Sequence, residues 1–320
     1  MVSRPSSASP APPATLVVVG ATATGKSDLA VALARRIGGD VVNADSMQLY
    51  RGMDIGTAKL TALEQGGVRH HLLDVWDVRR PASVAEYQEM VVPLLADLRR
   101  QGRPAVLVGG SGLYVRAALG DLDFPGTDPD LRAALEAQLA VGGPAALHAR
   151  LAQVDAEAAA RILPSNGRRI VRALEVIELT GAPFSAALPT YRPGGAVQLG
   201  LALPRPDLSE RISRRVDRMW ERGLVEEVRR LERAGLREGP TASRALGYAQ
   251  VLRHLAGECT EDEARAETVR ATRRFARRQE TWFRRDPRIT WLPSPDEGSQ
   301  GGVERLADRA SSIMVELSGS

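Results

Sequence analysis

Cysteine occurs once in the 320 residues, at Cys259. That excludes an internal disulfide and a Cys-based zinc module, and it fits a reducing, cytoplasmic setting. No apolar run approaches the ~20 residues that a membrane helix needs. Aromatic residues make up 4% of the chain, and lysine is scarcer still: of 43 basic residues only Lys26 and Lys59 are lysines. A coding bias toward arginine makes these two informative. Hydrophobic content of 43% is too high for global disorder and is enough for a core. The length allows one large domain or two smaller ones. The net charge of +4 hides an uneven distribution, because arginine concentrates after Arg205. A basic region of this kind points to a polyanionic partner. Residues 1–13 are mostly Ser, Pro and Ala without an apolar core, so they read as a disordered tail and not as a signal peptide.

What is present begins with Gly20-Ala21-Thr22-Ala23-Thr24-Gly25-Lys26-Ser27. The apolar run Thr15–Val19 precedes it, and a helical pattern over Asp28–Ile37 follows. Strand, GxxxxGK[ST], helix is the context of a phosphate-binding loop. The glycines permit a tight turn of backbone N–H groups, and the helix start adds unsatisfied donors. Lys26 reaches the terminal phosphate, and the Ser27 hydroxyl suits Mg²⁺. The loop reports a phosphate ester or diphosphate without saying which.

Further strands are predicted at Asp40–Ala44, His70–Val75, Pro104–Val108, Val197–Leu203 and Ile289–Leu292. The fold class that follows is α/β: a P-loop NTPase-like parallel sheet flanked by helices, with an all-helical insertion. The boundaries read as a core of residues 14–120 and 197–294, an insertion at 121–196, and a solvent-exposed C-terminal tail at 295–320. Asp45 lies at the carboxyl end of the second strand, where ligands of open α/β sheets bind. It reads either as a general base or metal partner, or as a turn aspartate. His70 and His71 point to opposite faces of a strand and read as structural. Gly109-Gly110-Ser111-Gly112 lets the backbone approach a ligand closely with a hydroxyl at hand.

A long helix runs from Thr260 to about Arg285. At 3.6 residues per turn, Arg270, Arg273, Arg274, Arg277, Arg278, Arg284 and Arg285 fall within an arc of ~140°. Val269, Thr272, Phe275, Ala276, Gln279, Trp282 and Phe283 occupy the opposite arc. Acidic partners nearby are few, Glu267 and Glu280, which favours a phosphate-backbone surface over a merely solvated face.

The motifs Asp45-Ser46-Met47-Gln48, Gly52-Met53-Asp54-Ile55-Gly56-Thr57-Ala58-Lys59, Val108–Tyr114, Arg172–Val176 and Ala271–Gln279 with Thr281-Trp282-Phe283 are in family order. Together they resemble bacterial tRNA dimethylallyltransferases, also called tRNA isopentenyltransferases. The resemblance runs from about Thr15 to Leu292. It implies transfer of a dimethylallyl group from dimethylallyl diphosphate to N6 of the adenosine just 3′ of the anticodon, position 37, with release of diphosphate. It implies Asp45, Ser111 and Arg215 as catalytic residues. Gly20, Thr22, Ala23, Thr24, Gly25, Lys26 and Ser27 would bind the diphosphate, with Mg²⁺ on Ser27. The tRNA-binding set would be Asp45, Ser46, Met47, Gln48, Ser111, Arg132, Arg168, Arg169, Arg172, Arg244, Gly247, Tyr248, Arg277, Arg278, Gln279, Trp282 and Arg284. The family usually has Pro at Ala21, Thr at Ser111, Pro at Leu60 and Arg at Ala249; the last removes a guanidinium from a stretch that the resemblance implies faces tRNA. The expected partners are a tRNA anticodon stem-loop and dimethylallyl diphosphate, on a cytoplasmic monomer without membrane attachment. The rival readings are an ATP-dependent small-molecule kinase, an NTP-switched RNA-binding protein, and an enzyme that prenylates free adenine nucleotides.

Overall fold

The computed structural model describes residues 15–122, 126–184, 196–296 and 298–318. The expected N-terminal tail, residues 1–13, lies outside them. Six parallel strands form one sheet: β1 (Thr15–Gly20), β2 (Asp40–Asn43), β3 (His70–His71), β4 (Ala105–Gly109), β5 (Ala196–Ala202) and β6 (Ile289–Pro293), in the order β3-β2-β4-β1-β5-β6. Leu16, Val17, Val18 and Val19 of central β1 are fully buried. A strand covered on both faces has no polar side to show, which is why it reads as a continuous apolar run. Between these strands lie α1 (Lys26–Ile37), α2 (Ala62–Gln65), α3 (Val84–Arg100) and α4 (Gly112–Ala118). Ser83 caps α3 by accepting the Glu86 N–H at 3.3 Å, while the Glu86 carboxylate pairs with Arg80 and not with the cap backbone.

The chain divides into two compact units, one of Met1–Leu119 with Pro193–Ser320 and one of Gly120–Arg192. The second unit is built from α5 (Pro129–Val154), α6 (Ala156–Arg161) and α7 (Gly167–Thr180). Asp128 caps α5 by accepting the N–H groups of Asp130 and Leu131, with Pro129 in the first turn. Its interior breaks at Gly143, just before Pro144, where φ is 71° and ψ 171°. Leu135, Leu147, Leu151, Ile162, Ile170 and Leu174 form the core of this unit.

The first unit resumes with β5 and continues through α8 (Arg205–Glu221), α9 (Leu224–Arg233), α10 (Tyr248–Leu255), α11 (Glu261–Phe283) and α12 (Gln300–Ser318). The last corrects the expectation of a solvent-exposed tail. Leu306, Ala307, Ala310 and Met314 of α12 are buried in one cluster with Leu29, Leu33 and Ala34 of α1. Arg36 of α1 pins it further, pairing with Glu304 and Asp308 at 2.6 Å each. The histidines are structural: His71 Nε2 lies 2.8 Å from the buried Asp40 carboxylate, and His70 Nδ1 lies 2.9 Å from the Val68 carbonyl. No helix of the described residues is long and apolar enough to cross a membrane.

Candidate active site

The sheet order sets β1 beside β4 and β4 beside β2, so three carboxyl-end loops become neighbours. They are the phosphate loop after β1, the Gly110-Ser111 turn after β4 and the Asp45–Gln48 turn after β2. Gly20 opens the phosphate loop at φ +144°, and a Cβ there would stand 2.7 Å from the Leu201 carbonyl oxygen. Ala23 is held at φ 66°, a conformation that an alanine rarely adopts. Several bonds hold the turn in place. The Thr24 hydroxyl donates to the Ala21 carbonyl at 2.8 Å, and Ser294 Oγ donates to the Thr24 carbonyl at 2.6 Å. Arg211 supports the Ser294-Pro295 segment in turn, through Ser294 Oγ at 3.2 Å and the Pro295 carbonyl at 2.8 Å.

Lys26 folds back over this loop and donates from Nζ to the Ala21 carbonyl at 2.6 Å. Its pKa falls to about 7: burial lowers it most, the Arg215 charge adds to the fall, and the Asp45 charge opposes both. Lys26, Arg215 and Asp45 thus share one electrostatic neighbourhood. The Ser27 hydroxyl makes no hydrogen bond among the described residues. Hard oxygen donors of this kind suit Mg²⁺, which keeps several waters and rides on substrate phosphates. The described residues contain no cluster of three His, Cys, Asp or Glu side chains able to cage a metal.

Asp45 is half-buried. Its Oδ1 accepts the Met47 N–H at 2.9 Å, and Oδ2 has no partner among the described residues. The turn reading and the functional reading therefore apply to different oxygens of one carboxylate. Ser46 and Ser111 face each other, Oγ to Oγ, at 3.3 Å. Ser111 precedes α4 but does not cap it, so its hydroxyl stays with the site. Gln48 Nε2 donates to the Thr57 carbonyl at 3.1 Å.

On α11, Ala264, Thr268, Ala271, Ala276, Gln279 and Phe283 are buried. Arg273 leaves the expected charged face and donates to Ser213 Oγ on α8 at 2.8 Å. Arg270 and Arg274 both pair with Glu267, at 2.8 and 2.7 Å. Arg284 pairs with Glu280 at 3.3 Å and lies over the Trp291 ring. Arg277, Arg278 and Arg285 are exposed and meet no carboxylate among the described residues. Trp282 is 38% exposed, with the Arg116 guanidinium over its ring.

Two side chains expected to face RNA do not. Gln279 is 5% exposed, and both ends of its amide are committed to backbone, so it is a strut between the loops after β1 and β4. Tyr248 is fully buried and donates its hydroxyl to the buried Glu227 at 2.6 Å, which burial and that anion make hard to ionise. Gly247 beside it is buried at the start of α10, whereas Arg244 is exposed. In the second unit, Arg168 and Arg169 are exposed on α7. Arg132 and Arg172 there converge on the fully buried Glu175 at 2.6 and 2.8 Å. Burial alone would raise the Glu175 pKa, but the two guanidiniums outweigh it and hold the carboxyl below its usual range.

Sequence reasoning missed Ser294, Arg211 and Glu227. Glu227 carried a visible signal, an acid on the stripe Leu224, Val228, Leu231. Lys59, the second of the two lysines, is structural. It is 7% exposed, and Nζ donates to the Tyr50 carbonyl, Asp54 and Asp74.

A family model described as IPP transferase matches residues 48–286. The chain belongs to this family. It is 65% identical over 311 residues to a tRNA dimethylallyltransferase of Thermobifida fusca, covering 95% of both chains. It is 64% identical over 313 residues to one of Streptomyces coelicolor, covering 98% of this chain and 97% of that one. Among solved structures, it is similar to the tRNA isopentenylpyrophosphate transferase of Bacillus halodurans, at TM-score 0.69 and 40% identity over 95% of this chain and 97% of that one. Membership of the IPP transferase family disfavours the reading as a small-molecule kinase built on the same loop.

Proposed function

We propose that this protein transfers the dimethylallyl group of dimethylallyl diphosphate to N6 of adenosine 37 in tRNA, releasing diphosphate. The observation that carries this reading is that Lys26 of the phosphate loop lies in the field of both Arg215 and the Asp45 carboxylate, one oxygen of which has no partner among the described residues. The names of the relatives support the substrate pair. The exocyclic amine of adenine is a weak nucleophile, because its lone pair is delocalised into the ring. In the proposed step that amine attacks C1 of the dimethylallyl group, forming N6–C1 as C1–O breaks. The electron pair of C1–O leaves with diphosphate, and one N6 proton passes to Asp45. A positioned base of this kind supplies roughly 10²–10⁴-fold. Lys26, Arg215 and the loop N–H groups stabilise the charge on the departing diphosphate. Bound Mg²⁺, held on Ser27, would supply further neutralisation of that charge. Ser111 and Ser46 offer hydroxyls beside the reacting groups, and Gln48 faces the base.

The adenosine must swing out of the anticodon loop to reach such a pocket, at a cost of a few kcal/mol. On the first unit, Arg277, Arg278 and Arg244 are exposed, meet no carboxylate among the described residues and can hold the RNA backbone; on the second, Arg168 and Arg169 are exposed as well. The enzyme acts as a cytoplasmic monomer in this reading. Incubation of tRNA with labelled dimethylallyl diphosphate, and in parallel with labelled ATP, tests it. Adenosine 37 should gain one C5H8 unit, read by mass analysis of the digested tRNA. Phosphoryl transfer from ATP without tRNA, or equal prenylation of free AMP, would overturn it.

A further inference from the structure

Glu227 sits on the apolar stripe of α9 and is 2% exposed. A buried carboxylate is costly unless its oxygens are hydrogen-bonded. Its Oε2 accepts the Ile55 N–H at 2.8 Å and the Asp54 N–H at 3.2 Å. Its Oε1 accepts the Tyr248 hydroxyl at 2.6 Å and the Gly56 N–H at 3.2 Å. Three consecutive backbone N–H groups thus converge on one anion, as in the nests that bind phosphate. Here the anion is the chain's own side chain. The Tyr248 ring closes the arrangement, since a Cβ on Gly56 would meet it at 2.4 Å.

The clamp fixes the path of the backbone into Thr57. The Thr57 hydroxyl donates to the Met53 carbonyl at 2.6 Å, and the Thr57 carbonyl accepts Gln48 Nε2 at 3.1 Å. Arg215 Nη2 reaches the same carbonyl at 3.5 Å. This network gives the Gln48 amide a fixed sense. Its NH₂ is bound to backbone, and its Oε1, without a partner among the described residues, is the end left for a ligand.

We propose that Glu227 is a positioning residue: by clamping residues 54–56 it makes Gln48 present an acceptor oxygen, and so sets a preference for a base with a donor amine over one with a carbonyl. The inference rests on the function proposed above in taking the ligand to be an RNA base. Its test uses binding alone, so the two can fail separately. Anticodon stem-loops with adenosine or inosine at position 37 compete for the full-length protein without prenyl donor. The wild type should prefer adenosine. Glu227→Gln turns an NH₂ toward the backbone donors and should reduce that preference about tenfold, the scale of one base-reading contact. Gln48→Leu should abolish the preference, and adding Glu227→Gln to it should change nothing more, as coupled residues require. Tyr248→Phe keeps the carboxylate and removes one donor. It should reduce the preference about threefold, and it decides the matter if Glu227→Gln does not fold. A folded Glu227→Gln or Tyr248→Phe variant with the full preference overturns the proposal, as does a wild type with no preference. A wild type that prefers adenosine yet transfers no prenyl group overturns the reaction and leaves the positioning intact.

Discussion

Gln279 of α11 accepts the Thr22 N–H through Oε1 at 2.9 Å, so the helix that carries the arginine face also holds the phosphate loop. Its other end donates to the Gly110 carbonyl at 2.9 Å. Gln279→Leu keeps the shape and leaves both backbone groups unsatisfied in a buried site. Each orphaned group costs about 1–3 kcal/mol. Urea denaturation should show a lower midpoint at unchanged slope, and KM for the prenyl donor should rise. Gln279→Glu keeps the bond to Thr22 but sets a carboxylate oxygen against the Gly110 carbonyl, so it should also be destabilised. Wild-type stability in both variants would remove the strut from the account.

In the proposed reaction Asp45 divides its labour between two oxygens, and that division can be tested. Asp45→Asn retains an acceptor for the Met47 N–H and so preserves the turn. It cannot take a proton from the adenine amine. Single-turnover transfer should slow roughly 10²–10⁴-fold, the contribution of one positioned base. The tRNA binding isotherm should be nearly unchanged. A variant that binds poorly but turns over its bound tRNA at the normal rate would contradict the assigned role.

Lys26 makes donor binding pH-dependent. Its pKa stands at about 7 because of burial, with the Arg215 charge adding to the effect. A diphosphate beside the amine favours the charged form, so the pKa of the bound state is higher than that of the free protein. Above pH 7, binding therefore takes up a proton, and donor affinity falls as pH rises. Well below pH 7 the amine is already charged, and the uptake vanishes. Calorimetry at about pH 8, in two buffers of different ionisation enthalpy, measures the uptake directly. Lys26→Met should abolish both the uptake and this pH dependence.

The sheet and the phosphate loop were legible because buried parallel strands read as apolar runs and the loop is a contiguous motif. The six strands were all expected, though β3 spans only His70–His71. What escaped were properties that depend on side-chain direction. Gln279 and Tyr248 lie in stretches that carry arginines expected to face RNA, and only the fold shows both turned inward. The helical spacing of Val303, Leu306, Ala310 and Met314 was present, but the Gly301-Gly302 pair at the start of α12 hid it. Ser294 reaches the loop across 270 positions of sequence, a contact that no local pattern encodes.

The arginine face of α11 is not uniform, and that gives a sharp test of RNA binding. Glu267 already engages two of its members. Arg274 first, then Arg270, hold the Glu267 carboxyl below its usual range. Arg277 and Arg278, without carboxylate partners among the described residues, are free for phosphate. Each phosphate that goes unneutralised should reduce the slope of log affinity against log salt by about 0.7–0.9. Replacing Arg277 and Arg278 together by Ala should therefore flatten the slope by about 1–2 and weaken binding at low salt. Replacing Arg270 and Arg274 should change it much less, because both guanidiniums are already held at Glu267 and not at phosphate. Fluorescence anisotropy of a labelled anticodon stem-loop, between roughly 50 and 200 mM salt, separates the two. Equal slopes for the two double variants would mean that α11 meets RNA by shape and not through its unpaired guanidiniums.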